Sequence, residues 1–340
     1  MKSSAVLLVA VMVLLAGRAQ GATFLQGLAG PTGLANEGDQ GSSLRNDRFL
    51  SGGSSFIGAS YDWSGVGFSN GGSWATMISP TYFVSAWHDH PTPGQTVTFD
   101  VGNGPTATAY TYTVGSFGFQ TSSSGIPGAS YAGSDVWLGQ LTSPVASNIA
   151  KYPVLTLPSL PDYDGLPIWT YGYGATGPGR VGKSNISSYS GSISSGINSY
   201  SGVTALNGVY TAETSMVMYF NYYANGGQQG PDECYLEGGD SGGPAFTVVN
   251  GSLAVLGTGF VNAVDLQLTT PPGEYNVGIY NGAPSGDAFV PFYVSQLDAQ
   301  MTGGEQITTV VPEPSVLALL LAASCGLVGV VLRHRHGAKR

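Results

Sequence analysis

Short strand-like runs, each separated from the next by a turn-forming segment, fill the chain from about residue 56 to residue 301. The runs are rich in β-branched and aromatic residues, and Gly, Ser, Asn and Pro interrupt them, as expected for β-strands and tight turns. Examples are Trp74–Ile78, Tyr82–Trp87, Thr96–Val101, Ala107–Val114, Val136–Leu141, Ile168–Tyr173, Val209–Tyr223 and Leu253–Phe260. Many short strands at close spacing predict an all-β fold, either a sandwich or a barrel. One short helix is expected near Pro291–Met301, because proline is tolerated in a first helical turn.

Composition agrees with a folded β-protein and excludes two other classes. Of the 340 residues, 42% are hydrophobic and 11% aromatic, so the chain can bury a core and is not disordered throughout. The net charge of the whole chain is −9. Because nucleic acid requires a basic binding face, we expect no nucleic-acid partner.

The N-terminal residues have the layout of an export signal. Lys2 precedes the apolar run Ala5–Ala16, and small residues follow that run. Such a run is too short to span a bilayer comfortably, so it is typical of a secretory signal peptide, here over residues 1–21. A buried helix is the alternative. Residues 22–55, rich in Gly, Ser and Asn, are expected to form a leader or a loosely ordered segment.

The C-terminal residues combine three features in order. A linker over residues 304–314 ends in Pro312-Glu313-Pro314, an uncharged apolar stretch covers Ser315–Leu332, and a basic tail covers residues 333–340. The 18 residues of the apolar stretch just span a hydrocarbon core as a transmembrane helix, and the basic end should stay in the cytoplasm.

This arrangement resembles the PEP-CTERM sorting tail of Gram-negative bacteria. The resemblance implies export to the cell envelope or beyond, transient anchoring by the C-terminal helix, and processing near the motif by an exosortase-type enzyme. An ordinary C-terminal anchor helix is the alternative, and it also puts the working domain outside the cytoplasm. Without the two end segments the chain retains five Lys and Arg against 19 Asp and Glu, a net charge near −14. A surface of that charge repels anionic polymers.

The motif Gly239-Asp240-Ser241-Gly242-Gly243-Pro244 carries the most chemical information. A serine hydroxyl is a good nucleophile only when a base takes its proton and its carbonyl target is polarised. The surrounding glycines let consecutive backbone N–H groups point at one spot, which can hold an oxyanion. The pattern also fits the nucleophile elbow of α/β-hydrolases, but that elbow opens a helix and precedes its histidine. Here a strand-like run follows the motif, and only the basic tail carries later histidines, so the elbow is excluded.

A histidine and a carboxylate occupy suitable positions upstream of the serine. The apolar run Tyr82–Trp87 leads directly into His88, so the imidazole lies at the end of a buried strand. Ser134-Asp135-Val136-Trp137-Leu138 begins another strand with a carboxylate. Beside an imidazole, a desolvated carboxylate fixes the tautomer of the ring and stabilises the imidazolium.

Other residues compete for these roles. His90 is the rival base, although the apolar run ends at His88 rather than at His90. Asp100 is the rival carboxylate, although it lies within a predicted strand and is expected to face outward. A metal site formed by His88, Asp89 and His90 is a further alternative, but its pair of histidines needs additional ligands.

The order His, Asp, Ser, together with the three sequence blocks around these residues, resembles the chymotrypsin/trypsin-like serine endopeptidases. His88 and Asp135 are 47 residues apart, and Asp135 and Ser241 are 106 apart, intervals of the kind found in that family. The resemblance implies two packed six-stranded Greek-key β-barrels with a short C-terminal helix over residues 56–303. It also implies that His88 is the general acid and base, Asp135 its orienting partner and Ser241 the nucleophile, without a cofactor or a metal.

Further roles carry over from the same family. The backbone N–H groups of Gly239 and Ser241 would form the oxyanion hole. Three residues fall where the family pairs the substrate backbone as an extra strand: Thr258, Gly259 and Phe260. Tyr235 stands where trypsin-type relatives carry an acid in the specificity pocket. Because of that difference, we expect the protein to prefer substrates with an apolar or small side chain in this pocket rather than Arg or Lys.

The activation step of the family is matched only loosely. In many relatives a new N-terminus, formed by cleavage, pairs with the acid that precedes the serine, here Asp240. Phe56-Ile57-Gly58-Ala59 resembles the sequence that begins at such a cleavage site. It departs from that sequence at its first position, and Ser55 before it is not a trypsin-type cleavage site.

The sequence therefore predicts a secreted or envelope-attached serine endopeptidase that hydrolyses polypeptide substrates through an acyl-enzyme. The alternative is a catalytically decayed protease fold that serves surface binding or adhesion, which the Ser- and Gly-rich segment Ser184–Gly202 favours. An esterase with the same triad would differ only in its leaving group.

Overall fold

The computed structural model describes residues 24–25, 45–50, 56–174, 177–186, 197–206, 209–221, 232, 234–236, 239–261 and 284–312. The predicted signal peptide, transmembrane helix and basic tail lie outside the described residues. Within the described ranges, no helix is long and apolar enough to cross a membrane.

The described chain is mostly β-structure. In chain order its strands are β1 (Phe24–Leu25), β2 (Val66–Ser69), β3 (Trp74–Met77), β4 (Tyr82–Ala86), β5 (Thr96–Val101), β6 (Thr108–Ser122), β7 (Gly133–Leu141), β8 (Val154–Leu155), β9 (Pro167–Gly174), β10 (Gly177–Asn185), β11 (Ile197–Leu206), β12 (Val209–Asn221), β13 (Cys234–Tyr235), β14 (Pro244–Val249), β15 (Ser252–Val261), β16 (Pro284–Phe289) and β17 (Thr309–Val310). A 3₁₀ turn at Leu160–Tyr163 precedes β9. A second 3₁₀ turn, Val290–Tyr293, leads into the helix α1 (Val294–Asp298), where the sequence predicts a short helix.

The first six-stranded unit is a closed barrel with the strand order β2-β3-β4-β7-β6-β5. Strands β3 and β4 of this barrel are buried along their whole length, and most of their residues are apolar. By contrast, β5 alternates between buried and partly exposed residues, which is the period of a strand with one face in the core. The predicted first barrel is thus present and closed.

The second unit is a larger sheet of nine strands, in which β10-β9-β14-β15-β16-β12-β11 form the main path. An isolated bridge between Ile186, just after β10, and Phe220 in β12 joins two distant parts of that path. Six strands then form a ring: β9, β10, β12, β14, β15 and β16.

The ring of the second unit repeats the strand order of the first. Counted along the chain, strands one to six of each unit follow one another around the ring as 1-2-3-6-5-4. This duplication is consistent with a trypsin-like fold. The prediction of two six-stranded barrels needs one correction. The second ring, called the second barrel below, is completed by a single bridge, and β11, β8 and β17 extend its sheet.

An aromatic cluster fills the space where the two units meet. Trp63 is fully buried and stacks on Tyr171 at a ring-centroid distance of 5.4 Å, while its edge packs against Phe246 at 5.8 Å. Burying each such side chain contributes roughly 1.5–3 kcal/mol. Because Trp63 precedes the first barrel and its two partners belong to the second, this cluster fixes the two units against each other.

Residues 45–50 are firmly packed, whereas the sequence predicts a leader or loosely ordered segment over 22–55. The side chain of Arg48 is buried and donates hydrogen bonds to the Tyr171 hydroxyl (3.1 Å) and the Trp63 carbonyl (3.2 Å). A buried guanidinium is tolerated only where its N–H groups find acceptors, and here they find them in both units.

A second contact ties the same segment to β10. The buried Asp47 carboxylate accepts two hydrogen bonds from the Arg180 guanidinium, at 2.8 and 3.1 Å. Paired contacts of this kind fix orientation as well as distance. The folded domain therefore begins before residue 56, because charged side chains in this segment bind groups that lie far along the chain.

The segment after α1 also packs against the first barrel. The Glu305 carboxylate accepts hydrogen bonds from the Ser79 hydroxyl (2.6 Å), the Thr81 hydroxyl (2.9 Å) and the Thr81 backbone N–H (3.0 Å). Farther along, β17 pairs with β8 in parallel. The chain before the Pro312-Glu313-Pro314 motif is thus part of the folded structure up to residue 310.

Candidate active site

The three residues of the predicted triad come from both barrels. His88 lies two residues after β4, and Asp135 is the third residue of the neighbouring strand β7. The two strands are paired, and the Trp87 N–H donates a hydrogen bond of 2.7 Å to the Asp135 carbonyl. Ser241 lies in the turn before β14 of the second barrel. The side chains therefore meet in the cleft between the two units.

The structure brings the three side chains into hydrogen-bonding distance. His88 Nδ1 is 2.9 Å from each carboxylate oxygen of Asp135, and His88 Nε2 is 2.8 Å from Ser241 Oγ. His88 and Asp135 are buried, whereas Ser241 is partly exposed. A chain of contacts thus runs from a buried carboxylate, through an imidazole, to a hydroxyl that a ligand can reach.

The Asp135 carboxylate is fixed by its surroundings. Oδ1 accepts a hydrogen bond of 2.9 Å from the His88 backbone N–H, in addition to the contact with the ring. The Asp135 backbone N–H donates to the Ser215 hydroxyl of β12 at 2.8 Å. Since Asp135 is held by its own strand pair and by the second barrel, its carboxylate can keep one orientation of the His88 ring.

The charge environment of His88 favours the imidazolium. Burial lowers the pKa of His88, but the charge and hydrogen bond of Asp135, followed by the charges of Glu213 and Asp89, outweigh burial and raise that pKa to about 9. The site is therefore built to stabilise a positive charge on this ring, which is the charge a general base acquires when it removes a proton from a hydroxyl.

The turn that carries Ser241 is tied to β15. Gly242 N–H donates to the Gly259 carbonyl and Gly259 N–H donates to the Gly243 carbonyl, both at 2.8 Å. Within the turn, Gly243 N–H donates to the Asp240 carbonyl at 2.8 Å. The first barrel contributes as well, because the Trp74 indole N–H donates to the Gly239 carbonyl at 3.0 Å.

Two glycines of the nucleophile turn have positive φ angles. The φ angle of Gly239 is +104°, a conformation that glycine adopts readily and other residues rarely do. Gly242, on the other side of Ser241, also has a positive φ angle, +79°. The backbone thus leaves the extended conformation at both glycines. The oxyanion hole expected from the Gly239 and Ser241 N–H groups stays a prediction.

The three residues expected to pair the substrate backbone differ in the structure. Gly259 uses both of its backbone groups to hold the nucleophile turn, so its role is to support that turn rather than to pair a substrate. Thr258 is buried opposite Ala288 of β16. Phe260 lies beside the triad, with its ring centroid 6.0 Å from that of His88. Phe260 is thus the member of the set whose side chain lies beside the His88 ring.

The expected pocket residue Tyr235 lies in β13. Its backbone pairs with Phe24 of β1, in an antiparallel two-stranded sheet. Its side chain lies outside the described residues, as does Glu237. The predicted preference for apolar or small side chains therefore stays a prediction.

The rival base and the rival carboxylate are engaged elsewhere. His90 Nδ1 is 2.7 Å from the Trp87 carbonyl, and its ring stacks against those of Trp87 and Trp137. Burial lowers the pKa of His90. Asp100 is half-buried in β5, where its carbonyl accepts a hydrogen bond from Arg48. The geometry therefore favours His88 and Asp135.

The metal site considered from the sequence is not assembled. Asp89 accepts a hydrogen bond from the Ser73 hydroxyl at 2.5 Å, and His90 faces the two tryptophans. Among the described residues, one group of donor atoms lies within 4.8 Å of one another, namely those of His88, Asp135 and Glu213. Because His88 and Asp135 already contact each other through Nδ1, an ion bound there would have to break that contact.

The acid before the nucleophile, Asp240, is buried and lies near an internal cation. Its Oδ1 accepts a hydrogen bond of 3.0 Å from the Tyr173 backbone N–H. Burial lowers the pKa of Arg180 to about 10, and the charge of Asp240 opposes that shift. The candidate activation sequence lies elsewhere, with Ile57 N–H donating to the Arg45 carbonyl at 2.8 Å.

Two residues near the triad were not predicted from the sequence. Glu213 of β12 is buried beside His88 and Asp135, and Trp74 of β3 binds the nucleophile turn. A charged residue ahead of the apolar run Met216–Phe220 was a visible signal for Glu213. Nothing in the sequence indicated that this carboxylate meets a histidine 125 positions earlier.

No protein-family model matches the chain, and no curated protein matches it. Among solved structures, kallikrein-related peptidase 10 is similar over 67% of this chain and 87% of its own, with 12% identity and a TM-score of 0.37. An inactive chimeric NS6 protease of murine norovirus is similar over 67% of this chain and 93% of its own, with 16% identity and a TM-score of 0.35. These similarities are weak, and the fold assignment depends on the strand order described above.

Proposed function

We propose that the chain is a serine endopeptidase that cleaves polypeptides through an acyl-enzyme. One observation carries the proposal: Ser241 Oγ, His88 and Asp135 form a continuous chain of contacts of 2.8 and 2.9 Å between the two barrels. A nucleophile, a base within hydrogen-bond reach and a group that orients the base are the parts required for acyl transfer.

The reaction follows from these contacts. Ser241 Oγ attacks the peptide carbonyl carbon while His88 Nε2 accepts the hydroxyl proton, and the carbonyl oxygen becomes an oxyanion. The imidazolium, stabilised by Asp135, then gives that proton to the leaving amine, and an ester to Ser241 remains. Water, deprotonated by His88, attacks the ester carbonyl, the bond to Ser241 Oγ breaks, and His88 returns the proton to that oxygen as the acid product leaves. The backbone N–H groups of Gly239 and Ser241 would donate to the oxyanion in both steps.

Substrate binding is the less constrained part of the proposal. Phe260 beside the His88 ring would contact the residue next to the scissile bond. We propose an apolar or small preferred side chain, because Tyr235 stands where trypsin-type relatives carry an acid. A cleavage profile on a peptide library tests this preference directly.

Active-site labelling tests the chemistry. An organofluorophosphonate should label the wild-type protein covalently, and Ser241→Ala should abolish the labelling while circular dichroism and the melting temperature stay unchanged. Ser124→Ala is the matched control, because that serine is exposed and lies in the turn after β6, outside the triad. Failure of the correctly folded wild-type domain to react at any pH between 6 and about 10 would exclude an activated serine.

Casein hydrolysis separates the proposal from its two alternatives. An endopeptidase cleaves casein and loses this activity in Ser241→Ala. A decayed binding domain leaves casein intact in both forms, and an esterase is labelled and cleaves activated esters but not casein. The complete hydrogen-bonded triad favours catalysis over decay.

Export and sorting complete the proposal. The protein would be delivered by its N-terminal signal and held in the membrane by residues 315–332 until an exosortase-type enzyme cuts near Pro312-Glu313-Pro314. Mass spectrometry of the mature C-terminus, in a host with and without such an enzyme, tests this step. An unprocessed C-terminus in both hosts would contradict it.

A further inference from the structure

A second buried carboxylate faces the candidate catalytic histidine from the other barrel. Glu213 lies in β12, and only 1% of its surface is exposed. Alternate residues of a strand share a face, so Glu213 points to the same side as Ser215. The Ser215 hydroxyl accepts the hydrogen bond from the Asp135 backbone N–H, which places this face of β12 directly against the triad.

The carboxylate of Glu213 is close enough to act on the ring electrostatically. Donor atoms of Glu213, Asp135 and His88 all lie within 4.8 Å of one another. At such distances an opposite charge stabilises the ionised form of a group, and the effect is stronger where water is excluded. One buried imidazole is thus shared between two carboxylates.

We propose that Glu213 is a positioning residue that, together with Asp135, sets the pH range in which His88 can accept the proton of Ser241. The proposal rests on the proposed function, since it assigns a role in that same site. In this proposal Glu213 acts through His88.

Other groups around His88 also influence the charge of its ring, and the effect of Glu213 is judged against theirs. Asp135 on β7 and Asp89 on the loop after β4 are the remaining charged groups that act on the ring, and both favour its protonated form. Phe260 on β15 and the Ser241 turn contribute uncharged groups. Tyr293, on the turn before α1, faces Asp135 and accepts a hydrogen bond from the Met216 N–H.

The roles of the two carboxylates differ by geometry. Asp135 is in direct contact with His88 Nδ1 and with its backbone N–H, so it fixes the orientation of the ring. Glu213 adds negative charge next to this pair. The added charge favours the imidazolium, so a higher pH is needed to form the neutral base. The same charge stabilises the positive charge that develops on the ring when Ser241 attacks.

Glu213→Gln tests the proposal, because it removes the charge and keeps the shape of the side chain. In a Ser241→Ala background, NMR titration of the His88 ring should give a pKa about 1 below that of the parent, which is an acid dissociation constant about tenfold larger. Glu213→Asp retains the charge and should restore most of the difference. Asp164→Asn, which removes one exposed surface charge, is the matched control and should leave the titration unchanged.

The pH profile of fluorophosphonate labelling supplies the second readout, with EDTA present to keep metal ions from the cluster. The acid limb of the labelling rate should move to lower pH in Glu213→Gln. The rate at pH 7 should rise by up to about tenfold if the His88 pKa falls by about 1, because the neutral base is then about ten times more abundant. The plateau rate at high pH should fall or stay equal, because a weaker base faces the same hydroxyl.

The two proposals fail in different ways. If His88 titrates identically in Glu213→Gln and in its parent, or if Asp164→Asn changes the titration as much, the role of Glu213 is excluded whatever the activity. If the His88 titration moves as expected but the wild-type protein is never labelled, the endopeptidase proposal fails while the electrostatic coupling stands.

Discussion

Gly242, in the nucleophile turn, lies against Ser85 of the first barrel. A Cβ atom at Gly242 would come within 2.6 Å of Ser85 Oγ and 2.9 Å of the Ala86 backbone nitrogen. The two barrels therefore approach each other closely beside Ser241, and only a residue without a side chain allows this approach. The position of the nucleophile relative to His88 depends on that contact.

Replacement of Gly242 should thus separate the two halves of the site. We expect Gly242→Ala to reduce fluorophosphonate labelling by at least about 100-fold, because a small displacement of a reacting group costs this much. Gly251→Ala is the matched control, since its φ of +81° is nearly the same as the +79° of Gly242 but no atom lies within 4 Å of its added Cβ. Equal losses in the two variants would mean that backbone strain, not the close approach, is decisive.

The pH dependence of the reaction follows from the charges around His88. Its pKa is raised to about 9, so the neutral base is scarce at pH 7 and its population grows as the pH rises. We expect kcat/KM for a peptide substrate to increase with pH and to level off above about pH 9. A plateau that is reached below pH 7 would contradict this expectation.

The same raised pKa has the opposite consequence for stability. The pKa of His88 is higher in the folded state than its unfolded value of 6.5, so protonation of His88 stabilises the fold. This stabilisation is complete below pH 6.5 and is lost as the pH rises through about 9. We expect the free energy of unfolding of His88→Gln, measured by urea denaturation, to approach that of the wild type as the pH is raised from 6 to about 10. A constant difference over that range would show that His88 stabilises the fold by packing alone.

Asp287 is a buried carboxylate whose two oxygens have no hydrogen-bond partner in the described part of the chain. Burial raises its pKa well above the ordinary value, and the charge of Asp240 raises it further. A carboxyl group whose pKa is higher in the folded than in the unfolded state destabilises the fold above the unfolded pKa, which is about 3.9 for Asp. Asp287→Asn removes this destabilisation and should stabilise the protein at pH 7 by about 1–3 kcal/mol.

Urea denaturation at several pH values checks this prediction for Asp287. The gain should shrink towards zero as the pH falls below about 4, where the carboxyl group is neutral in both states. The exposed Asp164→Asn is the control and should change the unfolding free energy by less than about 0.5 kcal/mol. A loss of stability in Asp287→Asn at pH 7 would indicate instead that the carboxylate is ionised and bound to a cation.

Two arginines in the packed N-terminal segment allow a matched comparison. Arg48 is buried and donates hydrogen bonds to the Asp100 carbonyl of the first barrel, the Tyr171 hydroxyl of the second and the Trp63 carbonyl, and Arg48→Met removes all three. We expect it to lower the free energy of unfolding by about 3–5 kcal/mol. Arg45→Met removes an ion pair with Asp232 from a side chain that is 54% exposed, and should cost about 0–1 kcal/mol. Similar losses in the two variants would argue against the tight packing of this segment.

Local sequence patterns predicted the strands of the barrels well. Thr96–Val101 was predicted with its observed bounds, and Tyr82–Trp87 and Leu253–Phe260 within one or two residues. The short helix after Pro291 was also expected. These elements were accessible because alternation, β-branched content and turn residues act over a few positions of the chain.

Pairings between distant segments could not be predicted in the same way. A bridge between Ile186 and Phe220 completes the second ring. Whether these two residues meet depends on the curvature of the whole sheet. The packing of residues 45–50 depends on Arg48, whose acceptors lie in both barrels. Composition indicated a loose segment there, because it averages over residues and does not identify which charged side chain finds buried partners.

The sequence by itself determined which three side chains could form a hydroxyl, base and carboxylate set, since His88, Asp135 and Ser241 each stand in a distinctive block. The tertiary structure alone decided that these groups lie within 2.9 Å of their neighbours, that Gly259 holds the nucleophile turn, and that Glu213 shares the imidazole. The reason is physical. A short stretch of chain fixes its own backbone conformation and buried face, whereas the distance between side chains far apart in sequence is set by how two barrels pack.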